Sequence, residues 1–227
     1  MRSAVVVFLL LQFRGAAQQS SLDLLFRATY GGKTIGLEQP LRTAGGDSLA
    51  LHSLRMYLGH FVVVQNGQAA PAGADEFFLP DLEEPASLHL HLDLPTGGRF
   101  DSLRFELGVD SLTNTGDVRG GALDPTRGMY WTWQSGYINV KLEGFCSRSA
   151  ARNHDFQFHL GGYLPPHATV QTVQLALPGS GRAVLALDLE PFFRQVDWAA
   201  RHHIMSPSAE AGKLSAVLSQ SFRLYAE

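Results

Sequence analysis

The residues most able to do chemistry in this chain are its nine histidines, because imidazole is the commonest metal ligand in proteins and suits copper and zinc. His89 and His91 stand two positions apart, which places both on the same face of a β-strand. Two interpretations follow for this pair: half of a metal site, or the solvated face of an amphipathic strand. The others are His52, His60, His154, His159, His167, His202 and His203.

Two of the three tryptophans, Trp131 and Trp133, are separated by a single residue in the segment GMYWTWQSGYINVKLEGF, residues 128–145. The period of a β-strand predicts that both rings share one face. Such aromatic pairs usually fill a core. They can also present an oxidisable side chain, because this segment follows directly on a polar stretch. His159, in the segment FQFHLGG, is likewise either a structural histidine or a ligand.

Enzyme signatures are absent from the sequence. There is no G-x-x-x-x-G-K, G-x-S-x-G, H-E-x-x-H or C-x-x-C. A net charge of −3 indicates no basic surface for nucleic acid, and the single cysteine, Cys146, excludes an intramolecular disulfide. The sequence therefore favours a binding protein over an enzyme, and it says nothing about oligomeric state.

The elements that must position these residues are short. Alternating segments such as SLHLHLDL are separated by turn residues, with 23 glycines and 11 prolines in the chain. This pattern predicts an all-β fold, an antiparallel β-sandwich of about eight or nine strands. Residues 110–128 read as a long polar loop, a kind of segment that often carries function. Ser206 and Pro207, followed by apolar residues at helical spacing, predict a C-terminal helix.

The N-terminus has the features of a secretory signal: Arg2, an apolar run over residues 4–13, and the small residues Gly15 and Ala17 before a cleavage site. The run is too short to span a membrane. We therefore predict a signal peptide over residues 1–17, a single β-sandwich domain over residues 18–227, and a periplasmic or secreted location without membrane insertion after cleavage.

Several segments together resemble the MbnP family of methanobactin-associated copper-binding proteins, and most closely its MbnP-like domain branch. The two central ones are LGVDSLTNTGDVRGGALDPTRGMYWTWQSGYINVKLEG (107–144) and FQFHLGGY (156–163). LRMYLGHFVVV (54–64) and HHIMSPSAEAGKLSAVLSQSF (202–222) extend the resemblance over nearly the whole mature chain. It implies a copper-binding or copper-handling protein. In the founding members the ligands are histidines and a kynurenine, which a diheme enzyme related to cytochrome c peroxidases, MbnH, makes from tryptophan.

Carried over by residue, the resemblance assigns copper-site roles to His159 and to Trp131 or Trp133. This chain departs from the family at the polar loop, where Thr113-Asn114-Thr115 replaces Leu-Asn-His and removes one imidazole. His60 and His91 are the candidates to replace it. The alternative is a metal-free extracytoplasmic β-sandwich that keeps only the scaffold, for example a carbohydrate-binding module with both tryptophan rings exposed.

Overall fold

The computed structural model describes residues 20–73, 77–96, 99–117, 119–133, 136–177, 179 and 181–227, so the predicted signal peptide lies outside the described residues. The described chain is mostly β-structure, which confirms the predicted fold class. The strands are β1 (Ser20–Tyr30), β2 (Lys33–Thr34), β3 (Leu41–Arg42), β4 (Ser48–Met56), β5 (Leu58–Gln65), β6 (Gln68–Pro71), β7 (His89–Leu94), β8 (Ser102–Leu107), β9 (Tyr130–Trp131), β10 (Gly136–Cys146), β11 (Asp155–Gly161), β12 (Gln171–Ala176), β13 (Gly181–Asp188), β14 (His203–Ile204) and β15 (Phe222–Ala226).

The described strands are more numerous than the sequence pattern predicts, because very short strands leave no alternating signature. Nine of the fifteen have six or more residues, and this number agrees with the eight or nine predicted. The α-helices are α1 (Ser111–Thr115), α2 (Glu190–Gln195) and α3 (Ala209–Gln220). Within the described residues no helix is long and apolar enough to cross a bilayer.

Three sheets make up the sandwich. The first has the order β15-β13-β1-β2, with β7 also pairing with β1; the second, β14-β11-β10-β4-β3, with β9 added to β10; the third, β12-β8-β5-β6. Most pairs are antiparallel, whereas β1–β13 and β11–β14 are parallel. Apolar side chains from all three sheets share one buried core. Strands such as β7 alternate between a buried apolar face and an exposed polar face, whereas residues 183–187 of β13 are all buried.

A second, smaller apolar cluster lies apart from the main core. It comprises Tyr57, Phe77, Leu79, Val109, Leu123, Met129, Trp131, Tyr137 and Ile138. Leu123 comes from the polar loop, residues 110–128, and four further members come from the hairpin segment that follows it. The second cluster therefore anchors the region that the sequence singled out for chemistry.

The predicted polar loop contains regular turns. Asp110 caps α1 by accepting a hydrogen bond from the Thr113 backbone N–H, and Asp124 caps a 3₁₀ turn over residues 125–127 in the same way. The loop is tied to the second sheet by Arg55, whose guanidinium pairs with Asp81 at 3.0 Å and also donates to the Arg127 carbonyl at 3.3 Å. The polar loop has no apolar periodicity, and helix capping and ion pairing hold it in place instead.

The C-terminal helix is confirmed, although it begins later than the sequence predicts. Ser208, rather than Ser206, caps α3, and its Oγ accepts a hydrogen bond from the Ala211 N–H at 3.1 Å. Phe222, which continues the helical spacing, instead begins β15. Both serines satisfy the capping rule, so only the tertiary contacts select between them.

Candidate functional site

The tryptophan pair lies at the end of a short hairpin. Strand β9 stops at Trp131, which pairs with Gly136 of β10, and Trp133 lies in the turn. The two rings contact each other, with centroids 5.8 Å apart and planes inclined at 44°. Their exposure differs sharply: Trp131 is 5 % exposed and Trp133 is 65 % exposed. One ring belongs to the second cluster, and the other faces solvent.

Trp131 packs against the outer face of β11. A Cβ built on Gly161 would lie 2.7 Å from its ring, so the indole occupies the space that a side chain at Gly161 would fill. His159 precedes Gly161 by two residues and therefore points from the same face of that strand. The fold thus brings the two motifs of the resemblance, the tryptophan pair and the Phe-His-Leu-Gly segment, to one side of the second sheet.

Beside this ring is an open cavity of about 220 Å³. Trp131 forms one wall, and Tyr163 and His167 line it from the loop that follows β11. The cavity is open to solvent, and His167 is an exposed residue of its lining. No local sequence pattern relates His167 to the tryptophans, so only the fold shows that it lies at the same cavity as Trp131.

His159 is buried and oriented by Glu143, which lies on the neighbouring strand β10. Its Nε2–H donates to Glu143 Oε1 at 2.6 Å. Burial lowers the pKa of His159 from its ordinary value of 6.5, and it outweighs the opposing effect of Glu143. Nδ1 is buried and has no hydrogen-bond partner among the described residues. A neutral imidazole thus holds an unused lone pair inside the protein.

This pKa shift predicts a pH dependence of stability. The unfolded chain binds a proton at His159 below about pH 6.5, whereas the folded chain binds it only at lower pH, so stability falls as the pH falls below 6.5. In His159→Gln we expect a smaller loss of unfolding free energy between about pH 7 and about pH 5 than in the wild type. Urea unfolding at both pH values measures it, with the exposed His89→Gln as matched control. Equal losses in all three proteins would contradict the prediction.

His60 lies close to two carboxylates near the N-terminus of α1. Its Nε2 lies 2.8 Å from Asp110 Oδ2, and Glu106 of β8 completes a group of three whose ligand atoms all lie within 4.8 Å of one another. Burial alone would raise the pKa of Asp110, yet hydrogen bonds from Thr113 and His60 lower it to about 2. Asp110 is therefore ionised at neutral pH.

His91 belongs neither to the tryptophan region nor to the group around His60. It alternates with buried leucines on β7, as predicted, and its Nδ1 lies 2.6 Å from Asp23 Oδ1 on β1. Hydrogen bonding to Asp23 raises the pKa of His91. His91 thus forms an exposed ion pair across two strands, while His89 points from the same face without joining the tryptophans or His60.

The geometry defines a class: a β-sandwich protein with a polar loop, a tryptophan pair of one buried and one exposed ring, and a buried histidine on the second sheet. The MbnP family model matches residues 19–206, and the chain therefore belongs to the MbnP family. This confirms the resemblance that the sequence motifs indicated.

A comparison with solved structures agrees. MbnP from Methylosinus trichosporium has a TM-score of 0.62 and 16 % sequence identity, over 92 % of this chain and 99 % of that chain. At this level of identity the likeness establishes a shared fold. No curated protein matches the chain.

Proposed function

We propose that this chain is an extracytoplasmic copper-binding protein in which a tryptophan is first oxidised to kynurenine by an MbnH-like diheme enzyme. Family membership supports copper over other cargo. The observation that carries the proposal is the pair of unpartnered buried nitrogens: within the described residues, Nε1 of Trp131 and Nδ1 of His159 are both buried without a hydrogen-bond partner. Such groups are rare in folded proteins and call for an explanation.

The residues present suit copper. Metal-binding histidines commonly donate their second ring N–H to a carboxylate, which fixes the ring and its tautomer, and Glu143 does this for His159. His167, which lines the cavity beside Trp131, is the proposed second imidazole ligand. Imidazole nitrogens select copper or zinc over calcium or magnesium. A bound copper ion would act as a redox-active Lewis acid.

Trp131 is the proposed ligand after oxidation. An intact indole has only a non-coordinating N–H donor, whereas kynurenine carries an aryl amine and a ketone. The Trp131 atoms beside Gly161 belong to the benzene ring, which kynurenine keeps, so this packing can hold the modified side chain in place. His159 on β11 and His167 at the cavity beside Trp131 are the proposed imidazole ligands next to the modified side chain.

Trp133 is the proposed contact for the oxidising enzyme. Its ring is mostly exposed and touches Trp131, so an electron can leave the buried indole through the exposed one at the surface. Leu112, on the neighbouring α1, is 81 % exposed and adds apolar surface for a partner to cover. The predicted signal peptide, residues 1–17, supports delivery to the compartment where such an enzyme would act.

The test is mass spectrometry of the peptide spanning residues 128–141, with copper analysis of the same sample, on protein produced together with the diheme enzyme. We expect Trp131 to have gained an oxygen and lost a carbon, with about one copper per chain, and His159→Asn to lose most of that copper. His89→Asn is the matched control and should retain it. Intact tryptophans without copper would refute the proposal, and modification at Trp133 alone would refute the role of Trp131.

The metal-free carbohydrate-binding alternative has less support from the geometry. It requires both rings of the pair to be exposed as a stacking surface, and Trp131 is buried in the second cluster. Trp133 alone offers a single exposed ring. Sugar binding by protein with intact tryptophans, abolished in Trp133→Ala, would favour that alternative.

A further inference from the structure

A second group of metal-ligand side chains lies away from the tryptophan pair. His60 of β5, Glu106 of β8 and Asp110 at the start of α1 each place one nitrogen or oxygen within 4.8 Å of the other two. A shift in register between β5 and β8 lies at His60, whose φ is +51°. This bulge turns the imidazole out of the strand alternation and towards the two carboxylates.

The group has capacity for a further cation. Glu106 Oε2 is buried and has no hydrogen-bond partner among the described residues, although this carboxylate lies beside Asp110. Burial raises the pKa of Glu106, with Asp110 adding to the effect and His60 and Arg104 opposing it. The Thr113 hydroxyl and backbone N–H hold Asp110 in place. An unpaired oxygen in a preformed cluster is thus available to a ligand.

An open cavity gives access to this cluster. It has a volume of about 400 Å³, and His60 and Glu106 are part of its lining, with Arg104 and Thr172 beside them. The side chains of His60 and Asp110 are 34 % and 24 % exposed, so an ion can reach them without unfolding the loop. Water can complete the coordination from the cavity side.

We propose that His60, Glu106 and Asp110 bind one divalent first-row transition-metal ion, of the zinc or copper(II) class, separately from the tryptophan pair. One imidazole with two carboxylates is a donor set that these ions accept. The imidazole disfavours calcium and magnesium, which take oxygen ligands, and the lack of sulfur disfavours copper(I).

This site requires no tryptophan oxidation, so it can be tested apart from the proposed function. The probe is Zn²⁺, titrated by calorimetry into protein produced without the diheme enzyme and freed of metal with a chelator. We expect one zinc per chain and a higher thermal unfolding midpoint with zinc. His60→Asn and Glu106→Gln should each weaken zinc binding at least about tenfold.

The variants are chosen to keep the fold. Asparagine tolerates the left-handed backbone at position 60, and glutamine keeps the shape of Glu106. His91→Asn is the matched control. His91 also lies near two aspartates, but it is exposed and outside the cluster, so this variant should bind zinc as tightly as the wild type. Absence of zinc binding, or equal binding by wild type and both cluster variants, overturns the site. Neither result bears on the tryptophan chemistry.

Discussion

Replacing Trp131 by alanine should lower the free energy of unfolding by about 3–5 kcal/mol, whereas Trp133→Ala should change it by no more than about 0.5 kcal/mol. The two residues are two positions apart and chemically identical. Trp131 fills the second cluster and the space above Gly161, so its removal leaves a cavity. Replacing Trp133 by alanine removes only its ring contact with Trp131 and surface that is already exposed to solvent.

Urea unfolding of both variants, followed by far-UV circular dichroism, measures this difference. Circular dichroism is preferable to fluorescence, because each substitution removes a chromophore. Trp131→Phe is a useful third protein: it keeps most of the packing and removes the unpartnered N–H, so it should lose less than Trp131→Ala. Similar losses in Trp131→Ala and Trp133→Ala would mean that the two rings share the same burial, contrary to the structure.

The second large effect is expected at Gly161, where alanine should destabilise the protein by about 1–3 kcal/mol through overpacking. The new Cβ would lie 2.6 Å from the Tyr137 carbonyl oxygen and 2.7 Å from the Trp131 ring. The backbone of β10 cannot yield easily, so the indole must move. The substitution should therefore disturb the tryptophan site as well as the fold.

Gly36→Ala is the matched control, because a Cβ there has no heavy atom within 4 Å. It should stay within about 0.5 kcal/mol of the wild type. Near-UV circular dichroism adds a local readout, since Gly161→Ala should alter the aromatic signal and Gly36→Ala should not. If Gly161→Ala were as stable as Gly36→Ala, with an unchanged aromatic spectrum, the packing of Trp131 on β11 would be wrong.

The short helix α1 explains how one loop serves two separate groups of residues. At its start, Asp110 meets His60; at its end, Asn114 accepts a hydrogen bond from the Tyr137 backbone N–H, next to Gly136 of the tryptophan hairpin. Thr115, in the position where the resemblance expects a histidine, instead donates its hydroxyl to the Ser111 carbonyl within the helix. The loop thus keeps its positioning role while providing no imidazole of its own.

The sequence was sufficient for features whose signal is local. Alternation along β7 predicted that His89 and His91 share a face, and the alternating segments predicted the β-sandwich. The motifs around Trp131 and His159 identified the family, which the match over residues 19–206 confirms. These features follow from strand period and from short motifs, and neither depends on which distant segments meet.

Only the tertiary structure decided the environment of each candidate residue. Strand period predicted one face for Trp131 and Trp133, but the strand ends between them, and so one ring is buried and the other exposed. His60, Glu106 and Asp110 come together from a bulged strand, its neighbour and a helix cap, with about 50 residues of chain between the first and the last. No local pattern encodes such a meeting, because it arises from the register of β5 against β8. The sequence thus predicts which single residues can do chemistry, whereas the tertiary packing determines which of them come together in one site.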